Sequence, residues 1–357
     1  MPNMQLILLV ILVVAAIAIS EVVSLVYNHK HVTFRCEIDM NLTEPGEIVT
    51  LTYHIQNRSW FPVSFASFCF QFPDAVEVQE CPEWLALHHV GGKSDRMYSF
   101  DVNLRPHHGI RGKLHFSIRE RGLFELGKVY IETGDFLGFS SKVRSITLYD
   151  RIICTASSLP QDPAVQPMGG FLGDLSVRRF IMEDPSLILG YRDYTGAEPM
   201  KSISWIQTAR TGRLTVKKHD FTVDTDVAVL VDLEQCQKQL AERCLSLVRT
   251  VCDVLEAQRI AYSVLSNGDL FQTAKGIGRM HTFEVQKRIG LSRFVRYQHF
   301  DDLLSQWARP GFSQRGCIVI APKRTEELGP ALVRLENATG ANVCLLIGEE
   351  VDRDAEL

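Results

Sequence analysis

The residues best placed to do chemistry lie between Gly190 and His219, where Arg192, Lys201, Arg210, Arg213, Lys217 and Lys218 stand against only Asp193 and Glu198. That surplus of about four positive charges sits in a chain of 357 residues whose net charge is -4. A local reversal of this kind marks a contact surface for something anionic. Tyr194-Thr195-Gly196 reads as a tight turn, with Gly196 free to take positive φ. Pro199 blocks helix at the residue before it. Ile203, Trp205, Leu214 and Val216 then alternate with polar neighbours, as in short half-buried strands. The same segment also fits a basic linker stapling two domains, with Trp205 buried and Arg210 satisfying carbonyls.

Other groupings carry less. The histidine pairs His29/His31, His88/His89 and His107/His108, with Cys69 and Cys81, show neither zinc-finger nor H-E-x-x-H spacing. Gly276-Ile277-Gly278-Arg279 lacks the remaining glycine of a phosphate-binding loop and reads as a flexible turn. No G-x-S-x-G elbow is present. Asp301-Asp302, beside Leu303-Leu304, reads as a helix N-terminus favouring negative charge.

These residues need elements to hold them. At 46% hydrophobic and 22% charged residues the composition is that of a globular chain with room for two domains. A pI of about 6.3 argues against bulk nucleic-acid binding. Nine cysteines without CxxC pairs suit a reducing compartment, and Cys236, Cys244 and Cys252 fall in an expected helix as small core residues. Leu6 to Tyr27 is nearly all apolar. As a helix it would span roughly 33 Å at 1.5 Å per residue, enough to cross a bilayer. No Lys or Arg precedes it, as a signal peptide would require, while Lys30 and Arg35 follow it. The expectation is therefore a transmembrane anchor over residues 1–28 with the bulk of the chain cytoplasmic.

Residues 29–150 read as an immunoglobulin-like β-sandwich of short strands, among them Val32 to Ile38, Ile48 to Asn57 and Phe65 to Phe72. The prolines and glycines from Ser157 to Gly173 mark a surface connection, within a linker over residues 151–189. Beyond the basic segment at 190–219 the period changes. Apolar runs at Asp226 to Val231, Ile260 to Leu265, Cys317 to Ala321 and Asn342 to Ile347 alternate with helical patterns. Residues 220–357 are thus expected to form an open, doubly wound parallel sheet in an α/β domain.

The order of residues in the basic segment adds a family. Tyr191-Arg192-Asp193-Tyr194-Thr195-Gly196, Lys201-Ser202-Ile203-Ser204-Trp205, Thr208-Ala209-Arg210 and Leu214-Thr215-Val216-Lys217 resemble the signature of the domain-of-unknown-function 58 (DUF58) family. Around thirty residues match in register. Arg121-Gly122-Leu123-Phe124-Glu125-Leu126-Gly127 and Asp135-Phe136-Leu137-Gly138-Phe139 are similar to the family's R-G-x-Y/F-x-L-G and D-P-F-G-L, the second without its proline. The acidic residue that usually follows the glycine is displaced to Glu198.

The resemblance implies that the α/β domain is of the von Willebrand factor A-like type. Such domains carry D-x-S-x-S, whose oxygens hold Mg²⁺, at the carboxyl edge of the sheet. The corresponding Asp232-Leu233-Glu234-Gln235-Cys236 keeps the aspartate but replaces both serines. A thiol is a poor Mg²⁺ ligand and a glutamate overreaches, so a degenerate site at Asp232 and Glu234 is expected, with no metal or other cofactor. Members of the family accompany MoxR-type AAA+ ATPases. The resemblance therefore implies a membrane-anchored, non-catalytic adaptor that presents Arg192, Tyr194, Gly196, Lys201, Trp205, Arg210, Arg213 and Lys217 to an ATPase or envelope protein, or to anionic lipid. A metal-dependent hydrolase, or a metal-dependent protein-binding domain, using Asp232 and Glu234 is the alternative; a surface adhesin is a third.

Overall fold

The computed structural model of the chain describes residues 2–79, 85–89, 95–135, 137–181, 184–196, 198–220, 226–270, 272–308 and 316–349. It divides into two compact units, Met1–Ala156 and Ser157–Leu357.

The first unit opens with helix α1 (Pro2–His31), which from Leu6 onward is long and apolar enough to cross a membrane. Side chains from Leu6 to Ser20 are all exposed. The last turns differ: Ser24 and Asn28 are fully buried. Asn28 Nδ2 donates to the Pro62 carbonyl at 3.2 Å, and Ser59 Oγ donates to Asn28 Oδ1 at 2.8 Å. Tyr27 stacks on His31 and meets Phe61 edge-on. The anchor expected over 1–28 lies within this helix, and its last turns also pack on the sandwich. Buried polar groups require partners, and here protein supplies those of Asn28, so that beyond Glu21 the helix has one packed side while Val22, Val23 and Val26 stay exposed on the other.

Among the described residues twelve strands follow in this unit: β1 (Val32–Ile38), β2 (Leu42–Thr43), β3 (Ile48–Asn57), β4 (Val63–Pro73), β5 (Val76–Val78), β6 (Ala86–His89), β7 (Asp95–Leu104), β8 (Gly109–Ile118), β9 (Gly122–Glu125), β10 (Lys128–Gly134), β11 (Ser141–Thr147) and β12 (Arg151–Cys154). They form two main antiparallel sheets, β1-β3-β8-β5 and β11-β10-β4-β7-β6, with a small third sheet, β2-β12-β9. Alternate residues of the main sheets point inward. Val49, Leu51, Tyr53 and Ile55 of β3 share one core with Phe68, Phe70 and Phe72 of β4, Phe100 of β7, Phe116 of β8 and Ile131 of β10. This is the sandwich that the alternation predicts. β11 escapes prediction because it is an edge strand whose residues are exposed or half-buried throughout. The linker expected from residue 151 begins too early, since Ile152 and Cys154 of β12 belong to this core.

In the second unit the segment expected as a surface connection, Ser157 to Gly173, passes at residue 166 into helix α2 (Gln166–Ile181). Met168, Phe171, Leu172 and Leu175 are buried at the i, i+3, i+4, i+7 spacing of one helix face. Phe171 and Leu175 close over Gly316, where an added Cβ would meet the Phe171 ring at 2.9 Å. The difference has a clear cause: glycines and prolines together signal loop, although Pro163 and Pro167 stand at helix starts, where proline is tolerated. A pair of antiparallel strands, β13 (Asp184–Asp193) and β14 (Thr215–Asp220), comes next, with the short helix α3 (Trp205–Thr211) between them.

Strands β15 (Asp226–Val231), β16 (Ala261–Ser266), β17 (Gly316–Ala321) and β18 (Asn342–Ile347) form a parallel sheet in the order β16-β15-β17-β18. All six residues of β15 and of β17 are buried, as continuous apolar runs covered on both faces should be. Helix α4 (Lys238–Ala257) packs on β16 and β17 and beside α5 (Arg279–Leu291). Helices α6 (Phe300–Trp307) and α7 (Leu328–Thr339) enclose the other face, where Phe300, Leu303, Trp307, Leu332 and Leu335 meet Ala228, Leu230, Cys317 and Val319. Asp301 and Asp302 occupy the first turn of α6. Cys244 and Cys252 are buried in α4, whereas Cys236, expected in the same helix, precedes it.

Candidate functional site

The basic segment is an excursion of one hairpin. Backbone pairing between β13 and β14 runs from Asp184↔Asp220 to Asp193↔Thr215, and the Tyr194 amide extends it by donating to the Leu214 carbonyl at 2.8 Å. Gly196 then turns the chain at φ 92°, a region that glycine enters without penalty. The displaced carboxylate acquires a role here. Glu198 accepts from the Thr195 hydroxyl at 2.8 Å, from the Thr195 amide at 3.1 Å and from the Arg192 guanidinium. The Thr195 hydroxyl leads these contacts in holding the carboxyl down at about 2.

After a 3-10 turn at Met200–Ser202, Ile203 is buried and bridges to Val216. Ser204 donates its amide to the Thr215 carbonyl and begins α3, which Gly212 ends in the left-handed conformation at φ 67°. Thr208 Oγ1 accepts from the Thr215 amide at 3.1 Å and ties the helix to β14. Trp205 is therefore not the strand residue that alternation suggests. It opens a helix and is 59% exposed, so the linker reading with Trp205 buried fails as well.

The other residues singled out from sequence fall as follows. Lys201, Arg210 and Arg213 are exposed, Arg192 is exposed but engaged by Glu198, and Tyr194 and Lys217 are half-buried. Ala197 and the Lys218 side chain lie outside the described residues. Sequence reasoning misses Ile206, 71% exposed, and Met200, 69% exposed. Ile206 and Arg210 are four apart on α3 and so lie on one face. The signal was available: an apolar pair, Trp205-Ile206, on a short segment whose inner contacts come from Thr208. Removing the exposed parts of Trp205 and Ile206 from water would contribute on the order of 5 kcal/mol before the costs of association. What the arrangement can do is bind, with apolar contact giving affinity and cations selecting an acidic counterpart.

The carboxyl edge of the parallel sheet is built differently. Asp232 follows β15 and is 9% exposed, and its amide donates to the Ile320 carbonyl. Asn267, 1% exposed beyond β16, bridges the two strand ends. Its Nδ2 donates to Asp232 Oδ1 at 2.8 Å and its Oδ1 accepts from the Leu233 amide at 2.8 Å. Burial pushes the Asp232 carboxyl up to about 6, Asn267 partly offsets it, and the charge of Glu234 adds to the rise. Gly268 allows the next close approach, since a Cβ there would lie 1.9 Å from the Val295 carbonyl oxygen.

Donors for an ion are not assembled. Cys236 and Lys323 flank Asp232 and Glu234, and among the described residues no three His, Cys, Asp or Glu side chains gather as a metal site. With one Asp232 oxygen held by Asn267 and a thiol in place of a hydroxyl, these residues do not fit a Mg²⁺ centre. Among the described residues the histidines do not gather with Cys, Asp or Glu as a metal site either. His29 and His31 end α1, His107 and His108 sit in the turn before β8, and Cys81 and the side chains of His88 and His89 lie outside the described residues. Gly276 bridges to Tyr262, and Gly278 donates its amide to Glu256 at the start of α5; that glycine pair is a held turn.

No protein-family model matches the sequence and no curated protein matches it. Among solved structures the chain is similar to the major pilin subunit BcpA of Bacillus cereus, at 8% identity over 35% of this chain and 41% of the pilin, with a TM-score of 0.26. It is also similar to a cohesin module from a Clostridium perfringens family 33 glycoside hydrolase, at 10% identity over 34% of this chain and 96% of that module, TM-score 0.24. A third likeness is to the CARDB domain of a Pyrococcus furiosus protein in complex with di-metal ions, at 10% identity over 35% of this chain and 94% of that domain, TM-score 0.21. TM-scores this far below one half carry nothing from those proteins to this chain.

Proposed function

We propose that this is a membrane-anchored, non-catalytic interaction protein whose second unit captures a protein partner through the β13–β14 hairpin. One observation carries the reading: Trp205, Ile206 and Met200 stand exposed beside Lys201, Arg210 and Arg213 on a hairpin whose own turn is closed by Glu198. Large apolar side chains left in water next to cations suit a surface that is covered in a complex. The resemblance to the domain-of-unknown-function 58 family, with its von Willebrand factor A-like domain, supplies the partner class, a MoxR-type AAA+ ATPase acting in assembly or activation of envelope complexes. Lys30 and Arg35 behind the apolar stretch favour a cytoplasmic location for both units. The test is a pull-down of the full chain in detergent with the nucleotide-locked ATPase from the same cell. Arg210→Glu is expected to weaken capture without unfolding the protein; an insoluble variant would make Arg210 a structural staple instead.

A second reading, metal-assisted hydrolysis at Asp232 and Glu234, has against it a donor set that does not fit Mg²⁺, with Asn267 on one Asp232 oxygen and a thiol at Cys236. It requires that Mg²⁺ raise the melting temperature and that Asp232→Ala abolish the rise. Indifference to Mg²⁺ ends it.

A further inference from the structure

We propose that the end of the sandwich where α1 enters rests in the bilayer interface, with Leu137 and Phe139 at the hydrocarbon boundary and Trp60 among the headgroups. This rests on the reading of α1 as a membrane span. The stretch of α1 exposed all round, from Leu6 to Ser20, is roughly 22 Å long at 1.5 Å per residue, and with the exposed Val22, Val23 and Val26 beyond it the apolar surface approaches the ~30 Å hydrocarbon core of a bilayer. Where that stretch stops, Glu21 accepts a hydrogen bond from the Leu137 amide at 3.1 Å. The β10–β11 turn is thus pinned to the helix at the level where its fully exposed stretch gives way to one with a packed side and a row of exposed valines, Val22, Val23 and Val26.

That turn is built to hold its shape. Asp135, 2% exposed, accepts from the amides of Gly138, Phe139 and Ser140, and Ser64 Oγ donates to the Asp135 carbonyl at 2.7 Å. Yet it presents Leu137 49% exposed and Phe139 81% exposed. Apolar side chains on a turn whose amides at 138–140 are already bonded suit insertion, because less ordering is left to do on binding.

The neighbouring loop continues the pattern. Asn28, roughly 10 Å further along the helix, is bonded to Ser59 and Pro62. Between them Trp60 is 75% exposed, edge-on to His107 at 4.7 Å, and Arg58 and Arg105 are exposed at the same end. The order down the helix is apolar turn, then tryptophan with arginines. Membrane interfaces place aromatic rings at headgroup level and cations against anionic phosphates in this way.

The test uses the full chain reconstituted in vesicles of phosphatidylcholine and phosphatidylglycerol, with a genetically encoded nitroxide at position 13, 139 or 48. Ile48 is exposed at the far end of β3, roughly 30 Å from Asn57. Collision with oxygen relative to a water-soluble nickel chelate is expected to be several-fold higher at 13 and 139 than at 48. A lipid-exposed 13 with a 139 as aqueous as 48 would overturn the proposal while leaving the span intact. An aqueous 13 would overturn the span, and the proposal with it.

Discussion

The two candidate surfaces of the second unit spend their polar groups in opposite ways. At the carboxyl edge of the parallel sheet, Asn267 satisfies Asp232 and Leu233 from inside the protein. On the hairpin, Glu198 is paired with Arg192 and Thr195, and Thr208 with Thr215, while Trp205, Ile206, Lys201, Arg210 and Arg213 face solvent. A surface whose groups already answer one another is part of the fold; a surface whose large side chains are unanswered is available to another molecule. That contrast locates binding in the hairpin and stability at the sheet edge, and four substitutions bear on it.

The largest effect is expected from Asn267→Ala. It deletes a hydrogen bond to a buried carboxylate and leaves the Leu233 amide unsatisfied, a loss of about 2–4 kcal/mol. For a unit of this size that lowers the unfolding midpoint by roughly 5–12 °C. A shift within the scatter of surface variants would mean the edge is open, and the contrast would collapse.

Next is the pH dependence of Asp232. Its carboxyl is raised from 3.8 to about 6, chiefly by burial, so ionisation is harder in the folded chain than in the unfolded one. The stability tied to this group is fully present below about pH 4 and lost as pH rises through about 6, some ~3 kcal/mol at most. Asp232→Asn keeps an acceptor for Asn267 and removes the charge. It should therefore stabilise the protein at pH 7.5 and leave it unchanged at pH 4. Parallel stability profiles for the two proteins across that range would show that Asp232 is relieved by something else, such as a bound cation.

Trp205→Ala inverts the pattern, with little change in melting and about a tenfold or greater loss of partner capture. If melting fell by as much as in the Asn267 variant, Trp205 would belong to the fold.

How much of this is readable in advance follows from the same physics. Asp226 to Val231 announces a buried parallel strand because six buried residues in a row leave a strong signal. The sandwich is legible because β3 buries alternate residues over most of its length. α2 is not, because Gly169, Gly170 and Gly173 carry loop statistics, although a Cβ at any of the three would meet nothing within 4 Å. The carboxylate at 232 is visible as a residue, but Asn267, 35 positions away, has no local pattern to betray it; only the parallel pairing of β15 with β16 brings them together. Trp205 stands out in the sequence, yet its exposure depends on Thr208 and Thr215 closing the inner side of α3, a contact that no periodicity encodes.

The smallest effect separates what holds the hairpin from what it presents. Glu198 serves the turn through the Thr195 hydroxyl and amide as well as Arg192, and its carboxyl is held at about 2 against an ordinary 4.5. The support it gives is present above the ordinary value and lost only as pH falls through about 2. Between pH 7 and pH 5 the protection of the Thr195 amide against hydrogen exchange should therefore stay constant. Glu198→Ala should lower that protection at every pH while leaving global melting unmoved, since the group is half-buried in a surface turn and its contacts are confined to that turn. Partner capture should fall less than in Trp205→Ala, because Trp205 and Arg210 remain in place on α3. Were Glu198→Ala to abolish capture outright, the turn itself would be the contact, and the exposed helix only its support.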